Sequence, residues 1–208
     1  MARASKEQVE TNHRLVIENS AKLMLERGID GVSVADLMES AGLTHGGFYG
    51  HFDSKEQLAA QACVHAFDNS IAKWKKRVAG AATPAGGFKA IVDGYMSARN
   101  RDNPGTSCPA PSLMADVARE PEASEVRVRY REGVNRLLDV LQSVQSGDDS
   151  NRGRARAMAQ FSMMVGALAL ARATAGDSLS EEFLDSAREA LVEESEIGSP
   201  SASRRGRR

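Results

Sequence analysis

Apolar residues recur along this chain at intervals of three and four, the spacing that places them on one face of an α-helix. Alternating runs rich in Val, Ile and Thr are absent, so the pattern predicts an all-α protein. Between Lys6 and Arg27, Val9, His13, Val16, Ile17, Ser20, Ala21, Leu23, Met24 and Leu25 form a broad face, and Gly28 ends the helix. Ser33 is a good N-cap with Asp36 three residues on, a variant of the capping box. Val34, Leu37, Met38 and Ala41 follow at helical spacing, and Gly42 takes the position where positive φ costs little. Leu43 tucks back into the core, and Thr44 caps a third helix expected through Phe52. Two short helices joined by a glycine turn make a helix-turn-helix, whose second helix enters the DNA major groove.

The remainder reads as more helices. Ser54 caps a long one reaching about Ala79, with Gln57 placed for a capping box. Its end carries Lys73-Trp74-Lys75-Lys76-Arg77, read as a solvated face that suits the helix dipole. Gly80 to Gly87 is a loop, and Phe88, Ile91, Val92, Tyr95 and Met96 carry a helix to about Asn100. Arg101 to Pro111 is irregular, a short helix spans Ser112 to Arg119, and a long one runs from Glu122 to about Ser146. After a polar break, Arg152 to Ala175 is the most apolar helix, and Ser180 caps a last one to about Glu194.

The expected recognition helix is rich in glycine. Gly46, Gly47 and Gly50 each cost about 1 kcal/mol against alanine inside a helix. Such a segment suits a backbone that must approach a phosphate or base edge closely. The run Thr44-His45-Gly46-Gly47-Phe48-Tyr49-Gly50-His51-Phe52-Asp53-Ser54-Lys55 resembles the signature of the TetR-type repressors. With the helices before it, the resemblance covers roughly the first quarter of the chain. It implies a three-helix DNA-binding head over residues 1–53 and a helical ligand-binding and dimerisation body over 54–194. Residues 195–208, with Arg204, Arg205, Arg207 and Arg208, read as a disordered basic tail.

Charge limits how DNA would be held. The net charge is -1, and residues 1–60 carry six basic against nine acidic side chains. A broad positive field is excluded, so contact has to come from a few placed groups. The resemblance implies that Thr44, Tyr49, His51 and Lys55 hold the DNA backbone, while His45 and Gly46, beside Gly47, approach base edges. Gly50 stands where the family often has a larger polar residue. Phe48 and Phe52 are expected to pack the head's core.

Other chemistry is sparse. Two cysteines, Cys63 and Cys108, make no disulfide scaffold. The longest apolar run, Met163 to Ala171, falls far short of the ~20 residues that span a bilayer. No apolar leader stands at the N-terminus, so a cytoplasmic setting is expected. The His-Glu-x-x-His zinc motif and the phosphate-binding loop are absent, and Glu10 to His13 is a single Glu-x-x-His where a di-iron bundle needs two. No catalytic residue, metal or cofactor is expected.

In the body, Tyr95, Met96, Met114, Tyr130 and Phe161 are candidate ligand contacts, with Phe88, Met158, Met163 and Met164 beside them. Cys108 opens a short helix and is a candidate sensor of oxidants or electrophiles; Cys63 reads as core. The expected partners are an operator duplex, a small apolar or electrophilic ligand, and a second copy of the chain. The resemblance puts the dimer seam on the last two helices, at Gly166, Ala167, Leu168, Leu170, Ala171, Leu184, Ala187 and Leu191. The rival reading is a helical small-molecule-binding protein without specific DNA recognition.

Overall fold

The computed structural model describes residues 6–145 and 150–197, so Arg204, Arg205, Arg207 and Arg208 lie outside the described residues. Among the described residues there is no strand. The helices are α1 (Lys6–Arg27), α2 (Val34–Ser40), α3 (Lys55–Ala79), α4 (Pro84–Tyr95), α5 (Ala98–Asp102), α6 (Pro109–Arg119), α7 (Glu125–Ser143), α8 (Ser150–Ala173) and α9 (Ser178–Ile197). Among the described residues there are also two 3-10 turns, His45–Gly50 and Pro104–Thr106. The all-α class, with a helix-turn-helix at the N-terminus and a helical remainder, is as the periodicity predicts.

The residues group into two compact units. The first joins the chain up to Lys73 with Arg99–Leu137; the second joins Trp74–Ala98 with the chain from Leu138 onward. α3 and α7 each supply residues to both.

In the first unit, local signals set the helix ends. Ser33 Oγ accepts the Asp36 N–H at 3.1 Å, and the Asp36 carboxylate accepts the Ser33 N–H at 2.7 Å, a complete capping box. Gly42 takes φ of 70° and Gly28 φ of 81°, the left-handed values that glycine adopts freely. Just past Gly28, the Ile29 N–H donates to the Asp116 carboxylate of α6 at 2.7 Å, and Arg119 pairs with the same carboxylate at 2.5 Å. Val16, Leu37, Met38, Phe48, Phe52 and Leu58 are buried together in the core of this unit. Farther along α3, Phe67 meets Tyr130 edge-on at 5.5 Å and lies over Gly133.

In the second unit, Trp74 meets Tyr95 at 5.9 Å and Phe161 at 6.0 Å, both edge-on. Trp74 is buried, so it does not belong to the solvated run expected around it, and Arg77 is half-buried. Lys75 and Lys76 remain exposed. α4 begins earlier than the apolar pattern suggests, because Thr83 accepts the Gly86 N–H at 3.1 Å and Pro84 fits the first turn. α9 also begins earlier: Asp177 accepts the Leu179 N–H at 2.9 Å, while Ser180 is buried inside the helix and donates to the Ala171 carbonyl at 2.6 Å. The buried Gln160 is satisfied by Gln145 at 2.8 Å.

A methyl group at position 133 would overlap the Phe67 ring. Gly133→Ala is therefore expected to destabilise the protein by about 1–3 kcal/mol, the usual cost of overpacking a tight core, read as a lower urea midpoint.

Candidate nucleic-acid interface

The candidate interface runs from Thr44 to Lys55. Its middle is a 3-10 turn, where the sequence pattern suggests an ordinary helix. The difference has a local cause, since three glycines in six residues weaken the α-helical ladder and short segments tolerate the tighter winding. Thr44 is extended at the N-cap, and its hydroxyl makes no capping hydrogen bond. Phe48 turns inward and packs on Phe52 at 5.7 Å, which anchors the turn to the core. Tyr49 then points out, 74% exposed, with its ring edge-on to Phe48 at 5.2 Å.

The glycines differ in their surroundings. A Cβ on Gly46 or Gly50 would meet nothing within 4 Å, whereas one on Gly47 would touch the Met38 methyl at 3.6 Å. Intrachain packing therefore does not require glycine at 46 or 50. His45 and Gly46 are exposed beside Thr44. Lys55, half-buried, is the first residue of α3 and makes no hydrogen bond or ion pair among the described residues. Ser54 Oγ accepts the Gln57 N–H at 3.0 Å, and Gln57 reaches back to the Asp53 N–H at 2.8 Å, which fixes the start of α3.

His51 is the one member that turns partly inward. Its Nδ1 is buried with no hydrogen-bond partner among the described residues. His13 of α1, which the sequence pattern places on the apolar face, has its ring centroid 6.1 Å away and stacks on Phe52 at 4.5 Å. Gln61 of α3 holds His13 at 3.2 Å. Sequence spacing offers no sign of the Gln61 contact, because the partners are 48 residues apart.

The candidate ligand residues divide between the units. Tyr95, Met96 and Phe161 are buried in the second; Cys108, Met114 and Tyr130 belong to the first, with Met114 40% exposed. Cys108 is the N-cap of α6, is buried, and makes no side-chain capping bond. The helix it opens has proline at 109 and 111, so two of its first three N–H groups are missing. The Tyr130 hydroxyl donates to the Ala110 carbonyl at 2.9 Å, and burial pushes its pKa up, with Cys108 and Cys63 adding to the shift. Burial likewise pushes the Cys63 thiol up to about 12.

α8 is apolar on both sides. Ala157, Phe161, Met164, Ala167, Leu168 and Ala171 face the core of their own unit. Met158 is 51% exposed on one flank, and Met163 and Leu170 are 42% and 47% exposed on the other. Of the candidate seam residues, Ala167, Leu168, Ala171, Leu184, Ala187 and Leu191 are buried within the chain, and Leu170 is exposed. Gly166 is half-buried, with open space where a Cβ would sit. Among the described residues no helix is long and apolar enough to cross a membrane, and no group of three or more His, Cys, Asp or Glu is placed to hold a metal ion.

Comparison with known proteins falls on the same segment. Residues 16–62 match the model of the bacterial regulatory proteins of the tetR family. The HTH-type transcriptional repressor KstR2 of Rhodococcus jostii is 30% identical over 77 residues, 37% of this chain and 38% of that one. The HTH-type transcriptional regulator TtgR of Pseudomonas putida is 34% identical over 58 residues, 28% of each chain. The match thus spans under two fifths of the length of these relatives, both named as transcriptional regulators. Among solved structures, a TetR-family regulator from Agrobacterium tumefaciens has a TM-score of 0.73 at 19% identity, covering 89% of this chain and 98% of its own. Reduced NemR of E. coli has a TM-score of 0.73 at 18% identity, covering 87% and 95%. At these identities the structural likeness establishes the fold alone.

The turn rests on α2, and α2 on its capping box. The Asp36 carboxyl is held below its ordinary value of 3.8, first by the Ser33 hydroxyl and then by the Ser33 backbone N–H. A depressed folded-state pKa stabilises the fold above the unfolded value, and the gain is lost as pH falls through the folded value. The melting-temperature gap between the parent and Ser33→Ala is therefore expected to narrow as pH drops from neutral to below 3.8. A gap that stays constant across that range would rule out this coupling.

Proposed function

We propose that the chain, whose residues 16–62 match the model of the tetR family of bacterial regulatory proteins, is a DNA-binding transcriptional regulator. It acts as a homodimeric repressor that leaves its operator when a small ligand enters the helical body. The observation that carries this reading is the exposed edge Thr44, His45, Gly46, Tyr49 with Lys55, held by the buried Phe48 and Phe52. We assign DNA binding to residues 1–53 and ligand binding and dimerisation to 54–194.

The chemistry of the edge fits a duplex. Thr44 and Tyr49 offer hydroxyls, His51 a ring nitrogen and Lys55 a charge, the donor types that phosphates take. Gly46 and Gly50 leave the turn without bulk, so base edges and backbone can approach each other. Two such turns related by a two-fold axis would meet successive major grooves about 34–36 Å apart, or a multiple of that, on a near-palindromic site.

Release by ligand needs a route to α1. Within the first unit, Gly105 lies so close to Lys22 and Glu26 of α1 that a Cβ would overlap them, and Asp116 holds the Ile29 N–H. Lys73 of α3 donates to the Thr106 carbonyl at 2.5 Å. A shift of the segment 103–119 would therefore press directly on α1. Moving the equilibrium from almost all bound to almost all free takes about 5.5 kcal/mol of differential ligand affinity. A ligand is favoured over modification of Cys108, because that thiol is only 4% exposed.

A gel-shift series over salt with fragments flanking the gene tests the reading. Specific retardation that weakens steeply with salt is expected; no fragment bound at any salt concentration would favour the rival small-molecule-binding protein. Lys55→Ala should lower the slope of log affinity against log salt by about 1, and Tyr49→Phe should weaken binding without changing that slope.

The seam is expected on the outer stripe of α8, where Met163 and Leu170, seven residues apart, line one side. An apolar helix face left in water calls for a partner, and a second copy presents the same stripe. Met163→Glu with Leu170→Glu should turn the dimer into a monomer in sedimentation velocity while helicity is kept.

A further inference from the structure

We propose that Arg77 and Gly94 form an oxyanion site that takes the carboxylate of an effector with an aromatic or similarly flat apolar body. The proposal rests on the effector-binding reading above and names the chemistry of the ligand. Both residues belong to the second unit. Arg77 stands in the last turn of α3, half-buried. Its guanidinium lies on the bare face of Gly94 in α4: a Cβ built there would overlap Cζ and Nη2 and come 2.7 Å from Nε. Only glycine leaves the space the guanidinium occupies.

Among the described residues Arg77 makes no hydrogen bond and no ion pair. The carboxylate beside Gly94, Asp93, is taken by Lys89 at 2.7 Å. Burial pulls the Arg77 pKa below its ordinary value, and no charge among the described residues offsets that. Arginine cannot shed its proton, and its donors are costly to bury unmet. A planar fork with free donors matches a carboxylate in two parallel hydrogen bonds.

The surroundings choose the rest of the ligand. Trp74 stands one turn earlier on α3, and Tyr95 follows Gly94 on α4; their rings meet edge-on at 5.9 Å. Phe161 closes the other side of Trp74 at 6.0 Å. Trp74 precedes Arg77 by one turn on α3 and Tyr95 adjoins Gly94 on α4, so an acid with a flat apolar body held by the fork would have aromatic residues of both helices as neighbours.

Trp74 is the only tryptophan in the chain, so its emission reports on this place alone. The full-length protein is titrated with benzoate and, separately, with its neutral isostere benzamide. Benzoate is expected to change Trp74 emission saturably, and benzamide to act only at much higher concentration. Arg77→Gln should weaken benzoate by about tenfold or more, the scale of a charge-assisted hydrogen bond, and Arg77→Lys should weaken it less. Far-ultraviolet dichroism and melting confirm that each variant is folded; Gly94→Ala, which displaces the guanidinium, gives an independent variant with the same expected loss. Equal responses to benzoate and benzamide, an unchanged response in Arg77→Gln, or no saturable response to benzoate would each overturn the site. DNA release by benzoate is measured in a separate gel shift. Binding at Trp74 without release leaves the oxyanion site standing and counts against the effector reading only.

Discussion

The contact on which the first unit depends is the hydrogen bond from the Ile29 N–H to Asp116. Gly28 turns the chain out of α1 with φ of 81°, and its open side is filled by that same carboxylate. A residue with a side chain at 28 would meet both the strained backbone angle and the carboxylate. The end of the first helix is thus defined by a residue 87 positions later in sequence. The contact lies within the compact unit that joins the chain up to Lys73 with Arg99–Leu137.

From that tie the geometry of the edge follows in steps. α1 holds α2 through Val16, Leu37 and Met38, all fully buried. α2 holds the glycine turn through Met38, whose methyl sits 3.6 Å from where a Gly47 side chain would begin. Phe48 and Phe52 bury the inner side of the turn, and Tyr49 is thereby forced outward. Burial, more than charge, determines what the edge presents, in keeping with the acidic balance of the first sixty residues.

Much of this was legible in sequence because the signals are local. The Ser33 box and the Gly42 turn depend on neighbours within four residues, and Phe48 and Phe52 keep an i, i+4 spacing that marks one inward face. Elsewhere, residue type competed with period. Trp74 was hidden among four cations, although Phe67, Ile71 and Trp74 keep a helical spacing and are all buried. Ser180 looks like a cap by type, but Asp177 reaches the helix start first. On α8 apolar residues occur all round, so spacing cannot separate inner Leu168 from outer Leu170. Long-range pairings such as Asp116 with Ile29 and His13 with Gln61 leave no trace in a single sequence.

The open space beside Gly46 and Gly50 has a consequence for how this molecule can change. A Cβ added there would meet nothing within 4 Å among the described residues, so local packing does not demand glycine. The residues that hold the turn and the residues that face outward from it are different residues. Variation at the outward positions can accumulate without first acquiring a compensating change in the core. Such a surface can acquire a new partner by single steps, while the framework beneath it stays as it is.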